Sequence, residues 1–183
     1  MATKISVIIP TYAPKDYLWE CLGSLENQTL SKDEFEVILV LNGEREPYES
    51  LIQKNLPEYS FNSTLLYSTP NGVSRARNLG MEKAQGCHIC FIDDDDWVSD
   101  NYLEDLLSKA CDNGIVEANV KDVDEVTREE SEQHFLSRAY KNYQPEKESS
   151  LFVNRSFFSS ACCKLLPKNC INGQRFDTNI KRG

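Results

Sequence analysis

Over the first 110 residues, short apolar runs alternate with segments whose apolar positions recur at helical spacing. "KISVIIP" (Lys4 to Pro10) is β-branched, lacks an alternating polar face and stops at proline, so it predicts a fully buried strand. Leu18, Trp19, Leu22 and Leu25 then recur at helical spacing behind Asp16, a residue suited to capping a helix. "FEVILVLN" (Phe35 to Asn42) predicts a second buried strand, ended by Gly43, with a weaker helix around Tyr48 to Lys54. "STLLYS" (Ser63 to Ser68) predicts a third strand and "TPNG" a loop. Val73, Ala76, Gly80 and Ala84 share one helical face, and side chains this small let a helix lie close against a sheet. Gly86 marks the exit, and "CHICFID" predicts the fourth strand.

Strands that are apolar throughout and alternate with helices imply an α/β fold, with a mostly parallel sheet flanked by helices. Beyond residue 110 the pattern is less regular. "NYLEDLLSKACDNG" (Asn101 to Gly114) predicts a helix with a glycine stop, and "IVEANVKDV" a strand. The charged stretch to Arg138 and "YKNYQPEKESS" predict mobile or helical surface. "RSFFSSACCKLLPKNCINGQRF" predicts a short helix and a strand or turn. A chain of 183 residues suits one domain with a substantial core.

Charge narrows the function classes. With 20 basic and 29 acidic residues the net charge is −9, which argues against a nucleic-acid-binding surface and a polybasic membrane anchor. No apolar run reaches the roughly 20 residues that a transmembrane helix needs. Seven cysteines, an odd and scattered set without a signal peptide, predict reduced thiols and a cytoplasmic protein. Cys87 and Cys90 have the spacing of a metal or redox pair, but no second such pair exists, and a packing role in the strand is preferred.

The fourth strand runs into Asp93, Asp94, Asp95 and Asp96, then Trp97. A solvated acidic turn is the plain reading, but the run abuts a buried strand. A calcium loop would need spaced oxygens, a central glycine and a closing glutamate, which are missing. A third reading is preferred: alternate aspartates hold Mg2+ or Mn2+ together with the phosphates of a ligand. In parallel α/β sheets, ligands bind beyond the carboxyl ends of the strands, where this run lies. "NGVSRARNLG" adds a close turn at Gly72, a helix N-terminus and the positive charges of Arg75 and Arg77, which suit a diphosphate.

"ISVIIPTY", "CLGSLENQT", "FEVILVLNG", "NGVSRARNLGMEKAQG" and "FIDDDDW" occur in an order that resembles the family 2 glycosyltransferases of GT-A fold. The resemblance is clear from Lys4 to Leu107 and fainter through "CCKLLPKNCINGQRFDTNIKRG". It implies a Rossmann-like single domain, with a nucleotide-sugar-binding half at 1–110 and part of an acceptor-side half at 111–183. The implied activity is inverting transfer of a sugar from a nucleoside diphosphate, UDP before GDP or dTDP, to a glycan or lipid-linked acceptor. That activity would serve polysaccharide or glycoconjugate synthesis, in a cytoplasmic protein that attaches to the inner face of the membrane when full-length.

Residue by residue, the resemblance places Pro10, Thr11, Tyr12, Asn42, Arg75, Arg77, Asp93 and Asp94 at the nucleotide. Asp93 and Asp95 become the metal ligands, with Asp95 the direct one, and Asp94 and Asp96 face the donor sugar. Arg77 also fits a structural role in its "ARN" turn. Three departures stand out: Leu41 and Asn42 replace two usual aspartates, Ala13 replaces an asparagine, and the acidic pair carrying the catalytic base would follow Gly183. The implied chain is therefore C-terminally truncated and lacks its base, Asp177 being set aside as a substitute. The alternative is a non-catalytic nucleotide-sugar-binding module. A phosphoacceptor signalling domain ranks below both, because it would need an acidic pair where Pro10, Thr11 and Tyr12 stand.

Overall fold

The computed structural model describes residues 3–124, 126–143 and 160–180. Most of "YKNYQPEKESS" and the start of "RSFFSSACC", both expected on the surface or in a short helix, lie outside those residues. Among the described residues, six strands form one sheet, in the order Asn62–Tyr67, Phe35–Leu41, Ile5–Thr11, His88–Phe91, Lys164–Pro167 and Val116–Glu117. Its parallel part is β1 (Ile5–Thr11), β2 (Phe35–Leu41), β3 (Asn62–Tyr67) and β4 (His88–Phe91). The strands β8 (Lys164–Pro167) and β5 (Val116–Glu117) extend it in antiparallel sense. The expected mostly parallel sheet is thus present, and the second half of the chain completes its far edge.

Every residue of β1 and β2 is buried, as their unbroken apolar runs require when both faces are covered. Odd-numbered residues of β1 and β2 pack with α1 (Asp16–Glu26), α2 (Tyr48–Asn55) and α4 (Tyr102–Ser108). Ile8, Ile38 and Val40 pack on the other face with α3 (Val73–Lys83). The helix α3 lies so close that a Cβ on Gly80 would sit 2.4 Å from Cγ2 of Ile8, a fully buried residue of the central strand. Gly86 is also tight, because its Cβ would fall 2.6 Å from the backbone nitrogen of Ser6, which yields less readily than a side chain.

Several local expectations need correction. Lys15, not Asp16, occupies the N-cap of α1, and no side chain caps it; Asp16 instead places its charge in the first turn, at the positive end of the helix dipole. Trp19 is only partly buried, and Cys21 takes its place in the core. β3 is an edge strand, its first three residues exposed. Cys90 is buried as expected, but Cys87 is exposed ahead of β4.

"IVEANVKDV" is not one strand. After β5, Ala118 still donates to the carbonyl of Cys163 on the sheet edge, and beyond it the Val120 carbonyl accepts from Ser137 instead of a strand. Asp122–Val123 (β6) then pairs with Glu130–Ser131 (β7) as a separate hairpin, followed by α5 (Phe135–Asn142). Beyond β8, α6 (Lys168–Ile171) leads into the last described segment. No helix among the described residues is long and apolar enough to cross a membrane, and all seven cysteines are free.

The contact at Gly80 sets two effects against each other. Alanine is favoured over glycine in a helix by about 1 kcal/mol, whereas overpacking a filled core costs about 1–3 kcal/mol. Ile8 is held on both sides by neighbouring strands, so we expect the clash to win. Gly80→Ala should lower the urea midpoint at unchanged m-value; a neutral or stabilising result would show that the α3–sheet contact is looser than described.

Candidate active site at the switch point of the sheet

The chain runs from β1 outward to β2 and β3, then crosses back to place β4 on the other side of β1. Strand order therefore reverses between β1 and β4. Their carboxyl ends diverge into a crevice there, the usual ligand site of such sheets. Thr11 ends β1, and the four aspartates follow β4 directly.

The aspartate run is a closed turn, with the Asp96 amide donating to the Asp93 carbonyl at 3.1 Å. Thr11 Oγ1 donates to Asp94 Oδ2 at 2.5 Å, joining the two strand ends across the crevice. Arg77, from α3, donates through Nη2 to Asp93 Oδ1 at 2.8 Å. Downstream, the buried Gln28 donates to the carbonyls of Ser24 and Ser99 and accepts from the Leu103 amide. The Val98 amide donates to the Ser24 hydroxyl. Both sides of the acidic turn are thereby tied to rigid elements.

Asp94 and Asp96 are pushed above the ordinary carboxylate range. For both, loss of hydration is the main cause; the Thr11 hydrogen bond partly offsets it at Asp94. Asp96 is raised to about 6, with the charges of Asp93, Asp95 and Asp94 adding to desolvation. Desolvation and neighbouring negative charge act in the same direction here, both disfavouring the ionised form. Asp95 is exposed, and Asp93 keeps 43% of its side chain accessible with one oxygen uncommitted to Arg77.

The donor set suits a hard divalent cation. Among the described residues no group of three His, Cys, Asp or Glu side chains is placed to hold a metal by itself. Magnesium and manganese commonly take one or two carboxylates and complete their shells with phosphate oxygens and water. Asp93 and Asp95 can supply that share, whereas a closed, all-protein metal cage is excluded for the described residues.

The other predicted residues fall around the same crevice, with different freedom. Arg75 is half-buried in the first turn of α3 and enters no hydrogen bond or ion pair among the described residues. No side chain caps that helix, and Gly72 precedes it at φ 143°. Tyr12 is 57% exposed, and its ring lies against Gly43, where an added Cβ would come within 2.8 Å. Pro10 is buried within β1 and serves the strand end. Asn42 is 5% exposed; its Nδ2 donates to the Thr11 carbonyl at 2.8 Å, and its Oδ1 accepts from Gly72 N at 3.3 Å. The amide thus fastens β1 and the α3 entry to the end of β2, which leaves it little to offer a base or ribose.

On the α1 side, Asp95, Asp96 and Trp97 border a cleft of about 910 Å³ whose far wall includes Lys121 and Arg128 from the β6–β7 hairpin. Cys162 and Cys163 also line it, their thiols held protonated by burial. Composition gave no sign of this cleft, because its walls come from segments that are distant in sequence. Gln28, Asn78 and Phe176 also went unnoticed as supports of the site; all three lay inside quoted stretches, but their partners are not readable from sequence.

The profile described as "Glycosyl transferase family 2" matches residues 6–168. The chain belongs to that family. The minor teichoic acid biosynthesis protein GgaB of Bacillus subtilis is 27% identical over 97% of this chain and 20% of GgaB. TarS of Staphylococcus aureus, a poly(ribitol-phosphate) beta-N-acetylglucosaminyltransferase, is 31% identical over 57% of this chain and 18% of TarS. The chain spans about a fifth of the length of these two relatives.

The crystal structure of TarS 1–349 in complex with UDP matches with a TM-score of 0.78 at 22% identity, over 99% of this chain and 52% of that one. A mannosyltransferase from Pyrobaculum calidifontis, in complex with GDP-Man and Mn2+, matches at 0.59 and 23% identity, over 67% and 36%. At these identities the structures establish the fold, which is GT-A.

The raised pKa of Asp96 gives a signed prediction. The folded chain keeps this proton up to about pH 6, whereas an unfolded aspartate releases it near pH 3.9, so this group makes stability fall as pH rises between those values. Asp96→Asn cannot lose the proton. The stability of wild type relative to the variant, from urea unfolding at several pH values, should therefore decline from pH 4.5 towards 6.5. A difference that is flat with pH would refute the crowding of these carboxylates.

Proposed function

We propose that this chain is the donor-binding part of a metal-dependent, inverting glycosyltransferase that moves a sugar from a nucleoside diphosphate to an acceptor hydroxyl. The observation that carries this reading is the acidic turn itself, moored to β1 through Thr11 and to α3 through Arg77 at the switch point of the sheet. Residues 1–110 carry the donor side and 111–183 part of the acceptor side.

Asp93 and Asp95 would hold Mg2+ or Mn2+, which supplies positive charge against the negative charge that builds on the departing diphosphate. Arg75 and the uncapped start of α3 add donors to the same phosphates. Tyr12 offers its exposed ring to the base at the end of β1. Thr11 orients Asp94 toward the donor sugar, and Asp96 borders the cleft on the same turn. That cleft is the natural entry for a glycan or lipid-linked acceptor, and Trp97 gives it an aromatic wall. No carboxylate of this chain is assigned as the base that takes the acceptor's proton.

UDP is the first candidate nucleotide, ahead of GDP and dTDP, since a family member of the same fold was solved with UDP. The names of GgaB and TarS favour an acceptor among cell-surface polymers. A thermal-shift panel of the three nucleotides with and without Mn2+ or Mg2+ tests the reading. Ligand at a hundred times its Kd adds about 2.7 kcal/mol, which at roughly 2–4 °C per kcal/mol predicts a rise of about 5–10 °C for UDP with Mn2+. Asp95→Ala should abolish the metal-dependent part of the rise without unfolding the protein. No stabilisation by any nucleotide with either metal would refute the proposal; stabilisation without sugar transfer by a chain extended to its relatives' length would favour a binding module.

A further inference from the structure

The Arg77 side chain is only 11% exposed and lies in the angle formed by two aromatic rings. Its guanidinium carbon is 5.5 Å from the ring centre of Phe176 and 6.0 Å from that of Phe91. The rings themselves meet edge to face, 5.4 Å apart at 88°. A guanidinium has five N–H donors, and burying one without a partner is unfavourable. Here Nε is buried and has no hydrogen-bond partner among the described residues, so the slot holds the arginine at the expense of a hydrogen bond.

The slot is closed by a contact that spans most of the chain. Asn78 Nδ2 donates to the Phe176 carbonyl at 2.9 Å, and the Phe176 amide donates to Asn78 Oδ1 at 2.9 Å, across 98 positions in sequence. Asn78 thereby imitates a strand partner for a single residue. Phe176 is the one that turns inward, between exposed Arg175 and Asp177. The arginine on one side of Asn78 and the ring that Asn78 anchors are therefore fixed by the same turn of α3.

We propose that Asn78 and Phe176 are positioning residues: they clamp the Arg77 guanidinium so that it binds one oxygen of Asp93 and leaves the other facing the cation–diphosphate site. This inference rests on the donor-binding reading above. Aromatic faces attract the cation without competing for Asp93's lone pairs, and the dry slot weakens the screening of the Arg77–Asp93 attraction. Opening the slot lets water reach the guanidinium and frees its other rotamers. Asp93, repelled by three neighbouring carboxylates, then loses the anchor that fixes its direction.

The test uses the whole chain in three variants. Phe176→Leu keeps apolar bulk without the π face, Asn78→Ala removes the pin but leaves the ring, and Phe176→Tyr keeps both. The Nε–H resonance of Arg77, assigned by its loss in Arg77→Lys, should stand apart from those of the other arginines in wild type and in Phe176→Tyr. It should move to the exposed-arginine region in Phe176→Leu and Asn78→Ala. In those two variants the affinity for Mn2+ in the presence of UDP should fall about tenfold, the scale on which outer partners of ligating carboxylates act. Affinity for UDP in EDTA should hold, and Phe176→Tyr should bind Mn2+ like wild type.

An Arg77 resonance that moves while Mn2+ affinity stays constant would overturn the proposal. So would an equal loss with UDP in EDTA, which marks general loosening of the fold. Wild type that binds no UDP with Mn2+ would instead defeat the donor-binding reading itself. Because the two disrupting variants act on different atoms, one that fails to fold leaves the other to decide.

Discussion

Repulsion among Asp93, Asp94, Asp95 and Asp96 is the constraint around which the carboxyl edge of the sheet is arranged. The sequence sets the four carboxylates side by side at the end of a buried strand, and the resulting cost is visible in Asp96, raised to about 6 by loss of hydration first and by its three neighbours' charges second. Two opposing contacts keep the turn in place. Thr11 gives Asp94 a hydroxyl proton from β1, and Arg77 gives Asp93 a cation from α3. These contacts satisfy two of the four aspartates. Asp95 and Asp96 are left exposed, which is the arrangement a divalent cation would complete.

The turn also divides the site by face. Toward α3 lie the uncapped helix start, Arg75 and the Arg77 clamp, all suited to anions. Toward α1 lies the cleft bordered by Asp95, Asp96 and Trp97. A donor on the first face and an acceptor on the second would meet at the aspartates. The close approach of α3 through Gly80 and the anchoring of the downstream loop through Gln28 bring the two faces together. A mispacked helix on either side would misplace the same turn, so core packing and site geometry are one problem here.

What could be read from sequence follows from how local each signal was. β1, β2 and α3 were plain, because an unbroken β-branched run has few other uses and small residues at helical spacing announce a close helix. β3 was found, but its exposure was not, since an edge strand carries the same residue types as a central one. The stretch "IVEANVKDV" was misread as one strand because two-residue strands owe their existence to distant partners, Lys164 and Leu165 for β5 and the residues of β7 for β6. The aspartates and both arginines were recognised by motif. Asn42 was recognised as well, but the structure shows its amide fastening the strand ends. Phe176 lay in a stretch of fainter resemblance, but its part in holding Arg77 was not legible, because it depends on an asparagine 98 residues away.

Anomalous scattering from manganese in crystals grown with UDP and Mn2+ would test the central claim most directly. The account predicts one strong peak about 2.0–2.2 Å from a carboxylate oxygen of Asp95, the distance expected for a small hard divalent cation. Diphosphate oxygens should complete its shell, and Arg77 should remain on Asp93. A nucleotide bound at the crevice with no metal peak, or a peak away from the aspartate turn, would contradict it.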